Sequence, residues 1–222
     1  MSTTRTVCAL RRLLWRLVCG VLGGLTVTGR LRMPGGCLVV ANHSSHIDTL
    51  AMLAALPSSA RPVFVAAADY WFDVPSRRFL ASALFDLVPV RRAANDSRES
   101  YAELLAAVRP ALLAGRVVVI YPEGTRSTTG KIGSFRSGAV RLARDCGVPI
   151  VPVGLVGTAD VLPKGANFVS RARVEVRIGE PVGPFDASAP QLRGLVIEQV
   201  MAQVGVARGE RTPEVVEQLC AA

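Results

Sequence analysis

One short stretch, Asn42-His43-Ser44-Ser45-His46-Ile47-Asp48, holds both histidines of the chain and a carboxylate able to reach one of them. An imidazole changes charge near neutral pH and can take a proton from a hydroxyl. A carboxylate bonded to one ring nitrogen fixes the tautomer and leaves the other nitrogen as a base. On a single regular helix His43 and Asp48 would not stack, because neighbours there lie three or four residues apart. With His43 in a turn and Asp48 in the first helical turn, the carboxylate can reach back to the ring. This is the His–Asp half of a hydrolase triad, with a substrate hydroxyl standing where the serine would be.

A second stretch, Tyr121-Pro122-Glu123-Gly124-Thr125-Arg126-Ser127, carries complementary chemistry. Pro122 and Gly124 favour a tight turn, which presents Glu123 and Arg126. A carboxylate can hold a polyol hydroxyl, and a guanidinium can grip a phosphate through two parallel hydrogen bonds. Two other chemistries fit some of the same residues. His43 and His46 with Asp48 or Glu123 could ligate a metal and serve a phosphohydrolase. A non-enzymatic binder of membranes or nucleic acid would need only the basic charge, and no histidine.

Each stretch follows an apolar run that reads as a strand: Cys37–Asn42 before the first and Arg116–Pro122 before the second. Ligand sites of α/β sheets lie at such strand ends. The run 25–31 reads as another short strand, set off by the Pro34-Gly35-Gly36 turn. Residues 61–68, 86–90 and 148–157 read as further strands, and 171–182 alternates Val174, Val176 and Ile178 with charged residues, as a half-buried strand does. Helical patterns cover 47–56, 75–85, 97–114, 137–147, 189–206 and 213–221. Strands alternating with helices predict one α/β domain, a central sheet flanked by helices.

The N-terminus differs. Leu10, Leu13, Leu14, Leu17 and Val21 recur at helical spacing, with Arg5, Arg12 and Arg16 on another side of the wheel. The apolar run from Leu17 to Gly29 is shorter than the roughly 20 residues a membrane span needs. Arg16 also interrupts the pattern of a cleaved signal. A basic amphipathic helix lying in the headgroup region is expected over 1–24, followed by a domain over 25–222.

The composition agrees with a folded protein that meets an anion. Of 222 residues, 50% are apolar and 19% charged, which excludes a disordered chain, and the net charge of +9 favours an anionic partner. Cys8, Cys19, Cys37, Cys146 and Cys220 are odd in number and lack C-x-x-C spacing, as expected of reduced core residues. Few aromatics interleave with the basic residues, so no nucleic-acid partner is expected.

Taken in order, Asn42-His43-x4-Asp48 and the strand leading to Pro122-Glu123-Gly124-Thr125-Arg126-Ser127 resemble the glycerolipid acyltransferase family, whose type members are 1-acylglycerol-3-phosphate acyltransferases. Val88-Pro89-Val90-Arg91-Arg92 resembles the family's second block, Val148–Val153 its fourth, and Phe135–Leu142 its segment after the third. The resemblance covers roughly residues 25–185. It implies the family's mixed α/β fold and an O-acyl transfer with His43 as general base and Asp48 orienting it. It implies that Glu123, Arg126 and the second-block arginine, Arg92 or the adjacent Arg91, bind glycerol phosphate. Gly124, Thr125, Asn42 and Ser45 of the same motifs join that substrate-binding set. The implied donor is acyl-CoA or an acyl carrier protein, with no metal or tightly bound cofactor. The implied acceptor is a phosphate-bearing lysolipid at the cytoplasmic face of a membrane, where the protein would be peripheral or monotopic. Where glycerophosphate-specific relatives carry a lysine ahead of an acidic-leucine pair, this chain reads Ala66–Asp73, and its second block lacks the usual glycine. The acceptor thus stays open between 1-acyl-sn-glycerol-3-phosphate and another polar lysolipid. Tyr70, Trp71 and Phe72 are candidates for an acyl tunnel, a lipid contact or plain core packing.

Overall fold

The computed structural model describes residues 5–33, 35–68, 79, 83–91, 98–129, 131–166, 168–205 and 213–220. The expected helix at 75–85 falls largely outside them, as do Arg92, the Tyr70-Trp71-Phe72 cluster, Arg77 and Arg78.

The apolar runs build one seven-stranded sheet. Its strands are β1 (Leu25–Thr28), β2 (Cys37–Ala41), β3 (Val63–Ala67), β4 (Leu87–Val90), β5 (Val117–Ile120), β6 (Ile150–Val156) and β7 (Val174–Ile178), in the order β1-β7-β6-β2-β5-β3-β4. All neighbours run parallel except β6 and β7, so β7 and the edge strand β1 oppose the rest. The two N-terminal strands are not partners: β1 sits at the edge beside β7, and β2 sits in the centre.

The central strand is buried along its whole length because helices cover both faces, which is why it reads as an unbroken apolar run. Cys37, Val39 and Ala41 face one core, shared with α1 (Arg5–Val21) and α2 (Ile47–Ala55). Leu38 and Val40 face the other, shared with α3 (Arg98–Leu113), α4 (Gly138–Cys146) and α6 (Ala189–Val204). A short α5 (Thr158–Val161) follows β6, and α7 (Pro213–Cys220) packs on α6. Gly154 of β6 is needed there, since a Cβ would sit 2.5 Å from the backbone carbon of Gln203 on α6.

Helix α1 is amphipathic, with its larger apolar side turned outward. Cys8, Trp15 and Cys19 are buried, Trp15 stacks on Phe85 with ring centroids 5.5 Å apart, and Arg16 reaches the Ala54 carbonyl on α2. By contrast Leu10, Leu13, Leu17 and Val21 are 62%, 57%, 62% and 64% exposed. No helix among the described residues is long and apolar enough to cross a membrane.

Candidate active site

Strand register brings the two reactive stretches together. β2 and β5 are adjacent and parallel, with Val40 opposite Ile120. Both leave the sheet at the same edge, and the pairing continues past the strand ends. The backbone N–H of His43 donates to Glu123 Oε1 at 2.7 Å, and the Ser127 N–H donates to the His43 carbonyl at 2.8 Å. On the other flank Asn42 extends the pairing with β6. Its carboxamide accepts from the Leu155 N–H at 2.7 Å and donates to the Leu155 carbonyl at 2.9 Å, replacing a peptide group where the strand ends.

Asp48 lies in the first turn of α2, where the positive end of the helix dipole favours a carboxylate. It is fully buried, and its Oδ2 accepts from His43 Nδ1 at 2.7 Å and from the Ser44 and Ser45 amides, each at 2.8 Å. These contacts place the proton on Nδ1 and leave Nε2 as the basic nitrogen. Its Oδ1 is buried with no hydrogen-bond partner among the described residues. The face of the imidazole rests on Tyr121, with centroids 4.2 Å apart and planes within 13°. Burial, then the nearby charge of Asp48, pushes the Tyr121 phenol far above its ordinary range.

Ser45 turns the loop into the helix. Its hydroxyl accepts from the Ile47 N–H at 3.1 Å and donates to the Leu162 carbonyl at 2.6 Å. The buried Ser44 hydroxyl meets Thr158 at 3.1 Å. Glu123 is similarly committed: besides the His43 amide it accepts from the Gly133 N–H at 2.8 Å. Burial pushes its carboxyl upward, and these two amides pull it back. Gly124 turns with φ +70°, a conformation that favours glycine, and a Cβ there would lie 3.1 Å from Arg136 Nε.

A cavity of about 650 Å³ opens in front of the imidazole. His43, Gly124, Thr125, Arg126 and Arg91 line it; Asn42, Ser45, Asp48 and Glu123 do not, and instead hold the loops that do. One part of the wall is apolar, formed by residues such as Trp15, Leu50, Phe64, Phe85 and Leu87. Another is basic, with Arg136, Arg141 and Lys164 joining Arg91 and Arg126, and among the described residues no acidic side chain lines it. Lys164 donates to the Arg126 carbonyl at 3.0 Å and to the Thr125 hydroxyl at 3.3 Å. Among the described residues, no three His, Cys, Asp or Glu side chains are grouped as a metal-binding set.

A family model described as Acyltransferase matches residues 24–156, more than half of the chain. The chain belongs to the Acyltransferase family. Among acyltransferases of known structure it is similar to the 1-acyl-sn-glycerophosphate (LPA) acyltransferase PlsC from Thermotoga maritima. The two are 26% identical with a TM-score of 0.73, over 89% of this chain and 78% of that one. It is 32% identical to the chloroplastic 1-acyl-sn-glycerol-3-phosphate acyltransferase BAT2 of Brassica napus over 66% of this chain and 40% of that protein. It is 31% identical to a 1-acyl-sn-glycerol-3-phosphate acyltransferase of Chlamydomonas reinhardtii over 76% of this chain and 49% of that protein. The chain therefore spans two-fifths to half the length of these relatives.

Several residues lining this acyltransferase cavity escape a reading by sequence. Arg136 and Arg141 look like ordinary solvated charges along with Arg144, yet both line the cavity, whereas Arg144 donates to the Ala187 carbonyl at 2.8 Å. Lys164 stands in a polar loop with no motif around it. The signal for Arg136 is its place in the segment after the third block, beside the buried Phe135.

Proposed function

We propose that this chain moves a fatty acyl group from a thioester, acyl-CoA or acyl carrier protein, to the free hydroxyl of a lysophospholipid. The foremost acceptor is 1-acyl-sn-glycerol-3-phosphate, giving phosphatidate. The observation that carries this reading is the His43–Asp48 pair, 2.7 Å apart, at the wall of a cavity that is apolar on one side and basic on another. An acyl chain suits the apolar wall and a phosphate suits the arginines. The names of the plant and algal relatives and of the Thermotoga structure support the acceptor.

In this reading the acceptor hydroxyl approaches Nε2 of His43. Its O–H bond breaks as oxygen attacks the thioester carbon, and the proton moves to the imidazole, which Asp48 holds and stabilises as a cation. The carbonyl becomes an oxyanion, and the basic wall and nearby backbone amides offer it positive potential. Collapse of the tetrahedral species breaks the C–S bond, and the thiolate leaves with the proton from His43. A thioester is already activated, so the reaction needs neither a covalent enzyme intermediate nor a metal or bound cofactor. Arg126 holds the acceptor phosphate, with Arg91 and Lys164 on the same wall. Asn42, Ser45 and Glu123 serve by fixing the loops.

The exposed leucines of α1 dock the protein on the cytoplasmic face of a membrane as a peripheral or monotopic enzyme. Each leucine fully withdrawn from water contributes about 1.5–3 kcal/mol, and the net charge of +9 suits anionic headgroups. Trp15 on the inner side of the same helix lines the cavity, so docking would bring the cavity close to the lipid. A thiol-release assay with long-chain acyl-CoA against a panel of lysolipids, with mass spectrometry of the product, tests the reading. Release that requires lysophosphatidate and yields phosphatidate supports it; release with no lysolipid acceptor, or none at all, contradicts it.

A further inference from the structure

The ring of Tyr121 lies flat against His43, with centroids 4.2 Å apart and an interplanar angle of 13°. Nothing in strand pairing demands this contact, although the pairing permits it. Val40 and Ile120 are opposite one another, and Tyr121 is the first residue beyond β5. The far end of the ring is tethered too, its hydroxyl 3.4 Å from the Thr49 hydroxyl on α2. The imidazole is thus held along one edge by Asp48 and across one face by Tyr121.

We infer that Tyr121 is a positioning residue for His43: it fixes the plane of the imidazole and favours the cation formed when the acceptor hydroxyl loses its proton. This inference rests on the reading of His43 as the general base. An aromatic face attracts a cation more than a neutral ring, and more strongly where water is excluded. The contact therefore strengthens as the proton arrives, which is the condition for an interaction to speed the reaction and not merely tighten the resting state. The surroundings give this attraction something to oppose. Arg91, Arg126, Arg136, Arg141 and Lys164 line the same cavity, His46 lines it from the start of α2, and each cation there disfavours a further positive charge. Against them stand Asp48 at the ring edge, Glu123 behind the His43 amide, and the face of Tyr121. The phenol stays protonated, since burial and Asp48 oppose its ionisation, so its part is not proton transfer.

The chain has two histidines, so NMR of imidazole-labelled protein yields two ring signals, and His43→Ala identifies the one from residue 43. Tyr121→Leu removes the aromatic face; Tyr121→Phe keeps it and removes only the hydroxyl. In Tyr121→Leu the titration midpoint of the His43 ring should fall by roughly 0.5–1 pH unit. The acid limb of the rate profile should move with it, and the maximal rate should drop about three- to tenfold. Tyr121→Phe should keep the midpoint and hold the rate within about twofold. If Tyr121→Leu loses its thermal unfolding transition, Tyr121→Met takes its place in the same comparison. A folded variant whose rate falls with the midpoint unmoved would reduce Tyr121 to a packing role and overturn the inference, as would a Tyr121→Phe enzyme as impaired as Tyr121→Leu. Undiminished activity in His43→Ala would instead remove the base reading on which the inference stands.

Discussion

The carboxylate of Glu123 accepts a hydrogen bond from the backbone N–H of His43, 2.7 Å away, so the third motif holds the first through its main chain. The second carboxylate oxygen takes the Gly133 amide at 2.8 Å, and Ser127 returns a bond to the His43 carbonyl at 2.8 Å. Glu123 is not among the residues that line the cavity, so in the proposed reading its role runs through the placement of His43.

Replacing Glu123 with Gln tests that role. An amide offers one oxygen where two are used, leaving the His43 or Gly133 N–H facing an NH2 group. The expected loss of stability is about 1–3 kcal/mol, with a fall in kcat of at least about tenfold from misplacement of the base. The pH dependence gives a second readout. Burial raises the native carboxyl above the unfolded one, so across that window the unfolded chain has lost a proton that the native chain keeps. Stability should fall as pH rises from the ordinary carboxylate range to the raised value, and Glu123→Gln should remove that slope in thermal melts.

In the proposed reading Arg126 binds the acceptor and not the donor. Arg126→Ala should raise KM for lysophosphatidate by about tenfold or more, as expected for a lost charge-assisted pair, with a smaller change for acyl-CoA. Equal changes in both constants would contradict a phosphate-binding role.

The outer side of α1 is separable from its inner side. Deleting the helix would uncover the core around Trp15 and Cys19, so Leu10, Leu13 and Leu17 are the positions to change. Their joint replacement by serine should leave the melting temperature within a few degrees and weaken co-sedimentation with anionic vesicles at least about tenfold. Unchanged partitioning would refute the docking role.

Cys37 reports on the central strand. It is fully buried, and burial pushes its thiol up to about 12. Alkylating reagents at pH 8 should leave it intact in the native protein and modify it only at the rate of unfolding, as peptide mass mapping would reveal.

Much of this was legible in the residues. Uninterrupted apolar runs marked β2, β5 and β6 because parallel strands covered on both faces have no polar side, and alternation marked β7 because its other face is less deeply covered. The His43–Asp48 contact followed from their spacing across a turn and a first helical turn. Pairing was not legible: β1 joins β7 across most of the chain, and periodicity carries no information about partners. Nor was the division between residues that line the cavity and residues that support it. Asn42 and Ser45 belong to a motif and turn out to complete the sheet and the start of α2, whereas Arg136, Arg141 and Lys164 join the wall by tertiary placement.

The central claim is that His43 takes the proton from the acceptor hydroxyl. Thiol release from long-chain acyl-CoA with lysophosphatidate, measured for the native protein and for folded His43→Ala, tests it most directly. A fall in turnover of roughly 100- to 10,000-fold is the predicted result. Release within a fewfold of the native rate would contradict it.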